Sequence, residues 1–117
     1  MAKLPWAKMS PRIENGVLYW FEGDTFQMNL LLTLKDQDGL TLEVKSNEKL
    51  ELVFLDKHRD VVKTLVFSGQ VASSGAVRVV MDTELSALFP AGRYSYDLRL
   101  LGEERTTLIR GGRIVVE

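Results

Sequence analysis

The 117-residue chain carries 15 basic and 16 acidic side chains, one histidine and no cysteine, for a formal net charge of −1. Disulfides and thiolate metal sites are thereby excluded, and the scattered Lys and Arg residues form no concentrated basic face for nucleic-acid phosphates. At 45% hydrophobic and 26% charged residues the composition is that of a globular domain, and the length suits one domain that buries roughly two-thirds of its unfolded surface.

The opening MAKLPWAKMSPRIENG lacks the apolar run of a signal peptide, and no segment approaches the ~18 apolar residues of a membrane span. The expectation is a soluble, unexported protein folded in a reducing cytoplasm. Residues 1–12 carry Pro5 and Pro11 around Trp6 without periodicity and read as an extended arm; residues 13–117 read as a single domain.

Asn15-Gly16 between apolar-bearing flanks predicts a tight hairpin, because both central residues of a type I′ turn need positive φ. TFQMNLLLTL alternates Phe26, Met28, Leu30, Leu32 and Leu34 against a mostly polar face and is the clearest strand. KDQDG is a turn. LTLEVKSNEKL is ambiguous, with a crossing between sheets as one reading. LELVFLD and VVKTLVF are strands around the polar turn KHRD, and apolar residues on both faces make them central strands. SGQVASSG is a loop, and AVRVVMD is a strand with Val77, Val79 and Met81 on one face.

Asp82 or Thr83 can cap one helical turn that Leu85, Leu88 and Phe89 press onto the core and that Pro90 and Gly92 stop. A strand with Tyr94, Tyr96, Leu98 and Leu100 on one face follows. The helical turn is then a plug at the end of a sandwich. RTTLI pairs back, and Gly111-Gly112 marks a bulge before a last strand. About seven strands at ~8–12-residue spacing predict an all-β, immunoglobulin-like antiparallel β-sandwich with one short helical turn. Its expected core includes Leu30, Leu32, Leu52, Phe54, Leu65, Val79, Tyr96 and Leu98.

Candidate chemistry is sparse. His58 lies in a charged turn without a nucleophile or metal partner in view. Asp36, Asp38 and Glu43 lack the ligand spacing of a calcium loop, and RGGR has no following helix to make a phosphate loop. No catalytic, cofactor-binding or metal-ligating residues are assigned, and the chain is read as a non-enzyme without a cofactor. Tyr94 and Tyr96 resemble the tyrosines at the corner of a late sandwich strand, where a hydroxyl bonds backbone upstream. Trp6, Tyr19, Trp20 and Phe21 are the candidate interface: neighbours on a strand face opposite ways, so one of Tyr19 and Trp20 packs inside while the other joins Trp6 at the edge. Ordinary core is the alternative.

The segments GDTFQMNLLLTLKDQDG, LELVFLDKHRDVVKTLVF and LFPAGRYSYDLRLL, with the ending RTTLIRGGRIVVE, resemble the small Ig-like domains of tailed phages and of prophages in Gram-positive bacteria. Those are of the type at the N-terminus of baseplate upper proteins. The resemblance spans roughly Gly23 to Val116 and implies a non-enzymatic structural or assembly protein of tail, baseplate or neck. Such a protein is expressed in the bacterial cytoplasm, ends in the virion, and docks on itself or on other virion proteins, with no nucleic acid or membrane partner. A carbohydrate-binding module, with Trp6 and Tyr19 or Trp20 as its platform, is the alternative.

Overall fold

The computed structural model describes residues 8–31, 34–35, 41–42, 47–68, 76–103 and 105–117, with backbone alone at 30–31, 34–35, 41–42 and 76. Asn15 and Gly16 have φ of 50° and 77° and close a hairpin between β1 (Arg12–Glu14) and β2 (Val17–Trp20), with Glu14 opposite Val17. Glycine adopts this left-handed backbone freely and asparagine tolerates it. β3 (Phe26–Leu31) follows, then β4 (Leu34–Lys35) paired with β5 (Thr41–Leu42). Leu32, KDQDG beyond Lys35, residues 40 and 43–46 of LTLEVKSNEKL, and the SGQVASSG loop beyond Ser68 lie outside the described residues.

The remaining elements are β6 (Lys49–Leu55), β7 (Val61–Ser68), β8 (Ala76–Met81), α1 (Thr83–Ser86), β9 (Gly92–Leu101) and β10 (Arg105–Val116). One sheet runs β1-β2-β10-β9-β6-β7; β3 and β8 form the second, and β4-β5 a separate pair. The run β10-β9-β6-β7 has the order of the G, F, C and C′ strands of variable-type immunoglobulin domains. The large sheet is mixed, because β2 runs parallel to β10, with Leu18 opposite Ile114 and Trp20 opposite Val116. The all-β, mainly antiparallel sandwich expected from the sequence is thus found, with this one parallel pair among the described pairings. Pairing of the first hairpin with the last strand is non-local, and β1, β4 and β5 are too short for alternation to register.

Strand alternation sorts the side chains into two faces. Leu50, Leu52 and Phe54 of β6, Leu98 of β9, and Ile114 and Val116 of β10 point inward against Val77, Val79 and Met81 of β8, and all nine are buried. Of the expected core, Leu52, Phe54, Val79 and Leu98 are buried, while Leu65 and Tyr96 pack half-buried against it. The side chain of Leu30 is outside the description. β6 is central as expected; among the described residues β7 ends the large sheet, and Val61 and Val66 are exposed, so its apolar residues on both faces do not reflect burial on both faces.

The plug is there. The Asp82 carboxylate caps α1 by accepting from Leu85 N at 2.8 Å, Leu85 is buried, and Phe89 is completely so. Phe89 is the hub of an aromatic cluster with centroids 5.5 Å from Trp20, 5.3 Å from Phe54 and 5.0 Å from Tyr94. Leu88 was expected to join this group and instead points outward, because Leu85 and Phe89 already occupy the inward face of a single turn. The Tyr94 hydroxyl donates to Pro90 O at 2.6 Å, which is the corner expected of a late sandwich strand; Tyr96 instead lies across β10. There the register shifts between Ile109 and Gly112, Gly111 has φ of 73°, and a Cβ on Gly112 would overlap the Tyr96 ring.

Candidate interaction surface

The sandwich has two flanks, one bounded by β1 and the other by β7. On the β1 flank, Arg12 donates through Nη2 to Glu117 Oε1 at 2.6 Å, through Nε to Glu14 Oε1 at 3.0 Å and through Nη1 to Met9 O at 3.1 Å. Its guanidinium carbon lies 4.3 Å from the centroid of the Tyr19 ring, the residue opposite it across the hairpin. Lys8 Nζ reaches Glu117 Oε2 at 3.1 Å, and the Ser10 hydroxyl accepts from Phe21 N at 3.1 Å. Hydrogen bonds from Arg12 and Lys8 hold the Glu117 carboxyl below its ordinary range, and Glu117 raises Arg12 in turn. Residues 8–12, expected to stand off as an arm, are therefore laid on their own domain, and Arg12 belongs to β1.

The four candidate interface aromatics do not converge on one displayed surface. Trp20 is fully buried, 5.5 Å from the rings of both Phe26 and Phe89, which corrects its assignment to an interface. It lies on the inward face opposite Val116, so the pairing of β2 with β10 decides its fate. Its Nε1, like Ser86 Oγ, is buried without a hydrogen-bond partner. Tyr19, on the outward face, is half-buried under Arg12, and Phe21 is half-buried with its N–H engaged by Ser10. Trp6 lies outside the described residues.

The β7 flank is different. Among the described residues β7 pairs only with β6, and Val61 and Val66 are 63% and 55% exposed. Beside it lies a groove of about 340 Å³ between β7, β8 and α1, lined by Lys63, Leu65, Val80, Glu84 and Leu88 among others. Val80 and Leu88 are 45% and 44% exposed there. Sequence reasoning missed these residues. The signal was VVKTLVF, whose two apolar faces fit an edge strand with one bare row as well as a central strand.

The turn that delivers β7 is built from polar groups. Asp56 Oδ1 accepts from His58 N at 2.8 Å and Asp60 N at 3.0 Å, and these bonds, the Asp60 one foremost, lower its carboxyl from the ordinary range. His58 is exposed, as its place in a charged turn predicts. Arg59, with φ of 67°, donates to Ser95 Oγ at 3.1 Å and Asp97 Oδ2 at 3.0 Å. Asp97 also accepts from Gly111 N at 2.9 Å and lies 3.6 Å from Arg99 Nη2. Burial pushes this carboxyl up, but the Gly111 bond and the two arginines outweigh it and the net direction is down. Asp97 thus latches the β6-β7 turn to the β10 bulge.

Between the sheets an apolar cavity of about 370 Å³ is lined by Leu18, Met28, Phe54, Val79 and Ile114, with Ile13 and Gly16 towards the β1 flank. Among the described residues no group of three or more His, Asp or Glu side chains is placed to hold a metal ion, and no helix is long and apolar enough to cross a membrane.

Strand order and packed inward faces make this an all-β sandwich. Comparison with protein-family models, with curated proteins and with solved structures finds no match for the chain.

Proposed function

We propose that this chain is a non-enzymatic structural or assembly domain that acts by docking to other proteins, in keeping with its sequence resemblance to Ig-like domains of phage and prophage tails, baseplates and necks. The observation that carries the reading is the β7 flank. A long edge strand with exposed valines lies beside a groove that exposes Val80 and Leu88. The edge of a sheet offers backbone donors and acceptors to an added strand, and an adjoining groove of mixed apolar and charged lining gives its side chains somewhere to go. Proteins that stay monomeric usually cover or charge such an edge; here Lys63 is the strand's one charge.

The test is binding of the purified chain to tail, baseplate and neck proteins encoded beside its gene, with Val80→Glu and Leu88→Glu as comparison. Binding that weakens tenfold or more in either variant, while each keeps its melting temperature, supports the reading. Failure to bind any of these proteins, or binding to which the two variants are indifferent, overturns it. The aromatic platform of the carbohydrate alternative has no support in Tyr19 and Trp20, one of which lies under Arg12 and the other in the core.

A further inference from the structure

We infer that the outward face of the large sheet, where Arg93 and Arg113 flank Ser95, receives an acidic surface of a protein partner. The inference rests on the docking reading above and assigns a second surface, with the chemistry of what it meets. Strand pairing brings together basic residues that the sequence spaces widely. Arg113 of β10 lies opposite Ser95 of β9, and Arg93 opposite Val115. Opposite residues share a face, as do residues two apart on one strand. Arg93 and Arg113 are therefore diagonal neighbours, about 7–8 Å apart at the backbone, with Ser95 beside both. Arg59 brings a third guanidinium from the β6-β7 turn and donates to Ser95 Oγ at 3.1 Å.

The carboxylates of this face are already engaged. Asp97 is buried and met by Arg59 at 3.0 Å and Arg99 at 3.6 Å, Glu51 lies 3.5 Å from Arg99, and Arg12 holds both Glu14 and Glu117. Arg93 and Arg113 are exposed, and neither reaches a carboxylate among the described residues. Their neighbours across the sheet, Val17, Val115, Ser95 and Leu55, are all described, so the exposure of the two arginines belongs to an open face. Adjacent guanidinium groups repel each other. A carboxylate set between them removes that repulsion and accepts the paired N–H bonds that the arginine fork presents. Phosphate oxygens would fit the same forks, but a nucleic acid needs a basic track along its backbone and faces on which its bases stack. Here Glu14, Glu51 and Glu117 border the arginines, Tyr19 lies under Arg12, and the whole chain carries a net charge of −1. A short acidic stretch of protein, which needs only one or two carboxylates at one place, suits the face better.

The probe is a fluorescently labelled deca-glutamate peptide titrated with the full chain and followed by anisotropy, with an oligothymidylate of equal length as the phosphate arm. Salt is held at about 0.1 M, where a screening length of roughly 10 Å suppresses the pull of remote charges. Saturable binding of the peptide is expected, and Arg93→Gln combined with Arg113→Gln should weaken it tenfold or more. The double variant should keep its melting temperature, because both side chains are exposed and unpaired among the described residues. Lys63→Gln combined with Arg78→Gln removes the same charge from the inward side of β7 and from β8, and should weaken binding less than threefold.

Absence of saturable binding, or equal weakening by the two double variants, overturns the inference. So does an oligothymidylate that binds the same arginines more tightly than the peptide, which makes the ligand a phosphate backbone. If a virion protein binds in a manner sensitive to Leu88→Glu and indifferent to the arginine double variant, this face falls and the docking reading stands. If the peptide binds at the arginines and no virion protein binds at all, the acidic ligand is upheld and the assembly role sinks.

Discussion

On the β1 flank a three-residue edge strand is tied down by Arg12, Glu14, Lys8 and Glu117, and the aromatics around it are buried or covered. On the β7 flank an eight-residue strand carries exposed valines beside a groove lined by Leu65, Val80 and Leu88 together with Lys63, Asp82 and Glu84. Both edges end the same sheet. The difference shows that aromatic content does not mark a contact surface by itself: the tryptophan, tyrosine and phenylalanine of the β1 flank serve the fold, while unremarkable valines and a leucine are left to water. Edge protection by charge and shortness is concentrated where the chain returns on itself, although Ile13 and Met9 stay exposed there.

The largest expected effect would confirm that the β1 flank is structural. Trp20→Ala should cost about 3–5 kcal/mol in denaturant unfolding, because it removes a fully buried indole from the Phe26 and Phe89 contacts. A loss under 1 kcal/mol would mean that Trp20 is available for contact after all.

Next in size is the latch behind the β7 turn. Asp97→Asn should cost about 1.5–3 kcal/mol, the range for buried hydrogen bonds to charged groups. The Asp97 carboxyl is depressed below its ordinary 3.8, so its contribution is present above that value and lost as pH falls through the lower folded value. Wild type should therefore lose more stability than the variant between pH 5 and pH 2, read from melting curves. Parallel curves would remove Asp97 from the latch.

A smaller loss is expected from Arg12→Ala, which frees Glu117 and uncovers Tyr19. The melting temperature should drop modestly, and the drop should shrink at 1 M salt, where the screening length is about 3 Å. Glu117 is also depressed, so this contribution too belongs to the range above its ordinary value and fades in acid. Salt-independence would assign the effect to the stacking on Tyr19.

The smallest effects belong to the exposed side chains of the β7 flank. Val66→Lys and His58→Ala should each leave the stability of the monomer within about 0.5 kcal/mol of wild type. A large loss for either would show that the flank is part of the core and erase the contrast with the β1 side.

Alternation made β3, β8 and β9 legible, because one buried face imposes a period of two, and β6 was legible from a run apolar on both faces. Local backbone chemistry did the same for the Asn15-Gly16 turn, the Asp82 cap and the glycine bulge on β10. Leu88 was misjudged because a single helical turn offers too few positions to establish which way it faces. Asp97 was invisible as a buried carboxylate, since Arg59 and Arg99, which compensate it, come from a different turn and from the same strand two residues on. The candidate surface was legible only in outline. An edge was expected, and of the aromatics assigned to it Trp20 is core.

By itself, then, the sequence determined the class of fold, the strands with one buried face, the plug and the turns, all of which depend on residues close in the chain. Tertiary structure alone decided that β2 runs along β10, that Trp20 faces inward, that residues 8–12 lie on their own domain and that β7 ends the sheet. Each depends on which strands become neighbours. That choice is made by contacts between residues far apart in sequence, where periodicity carries no information.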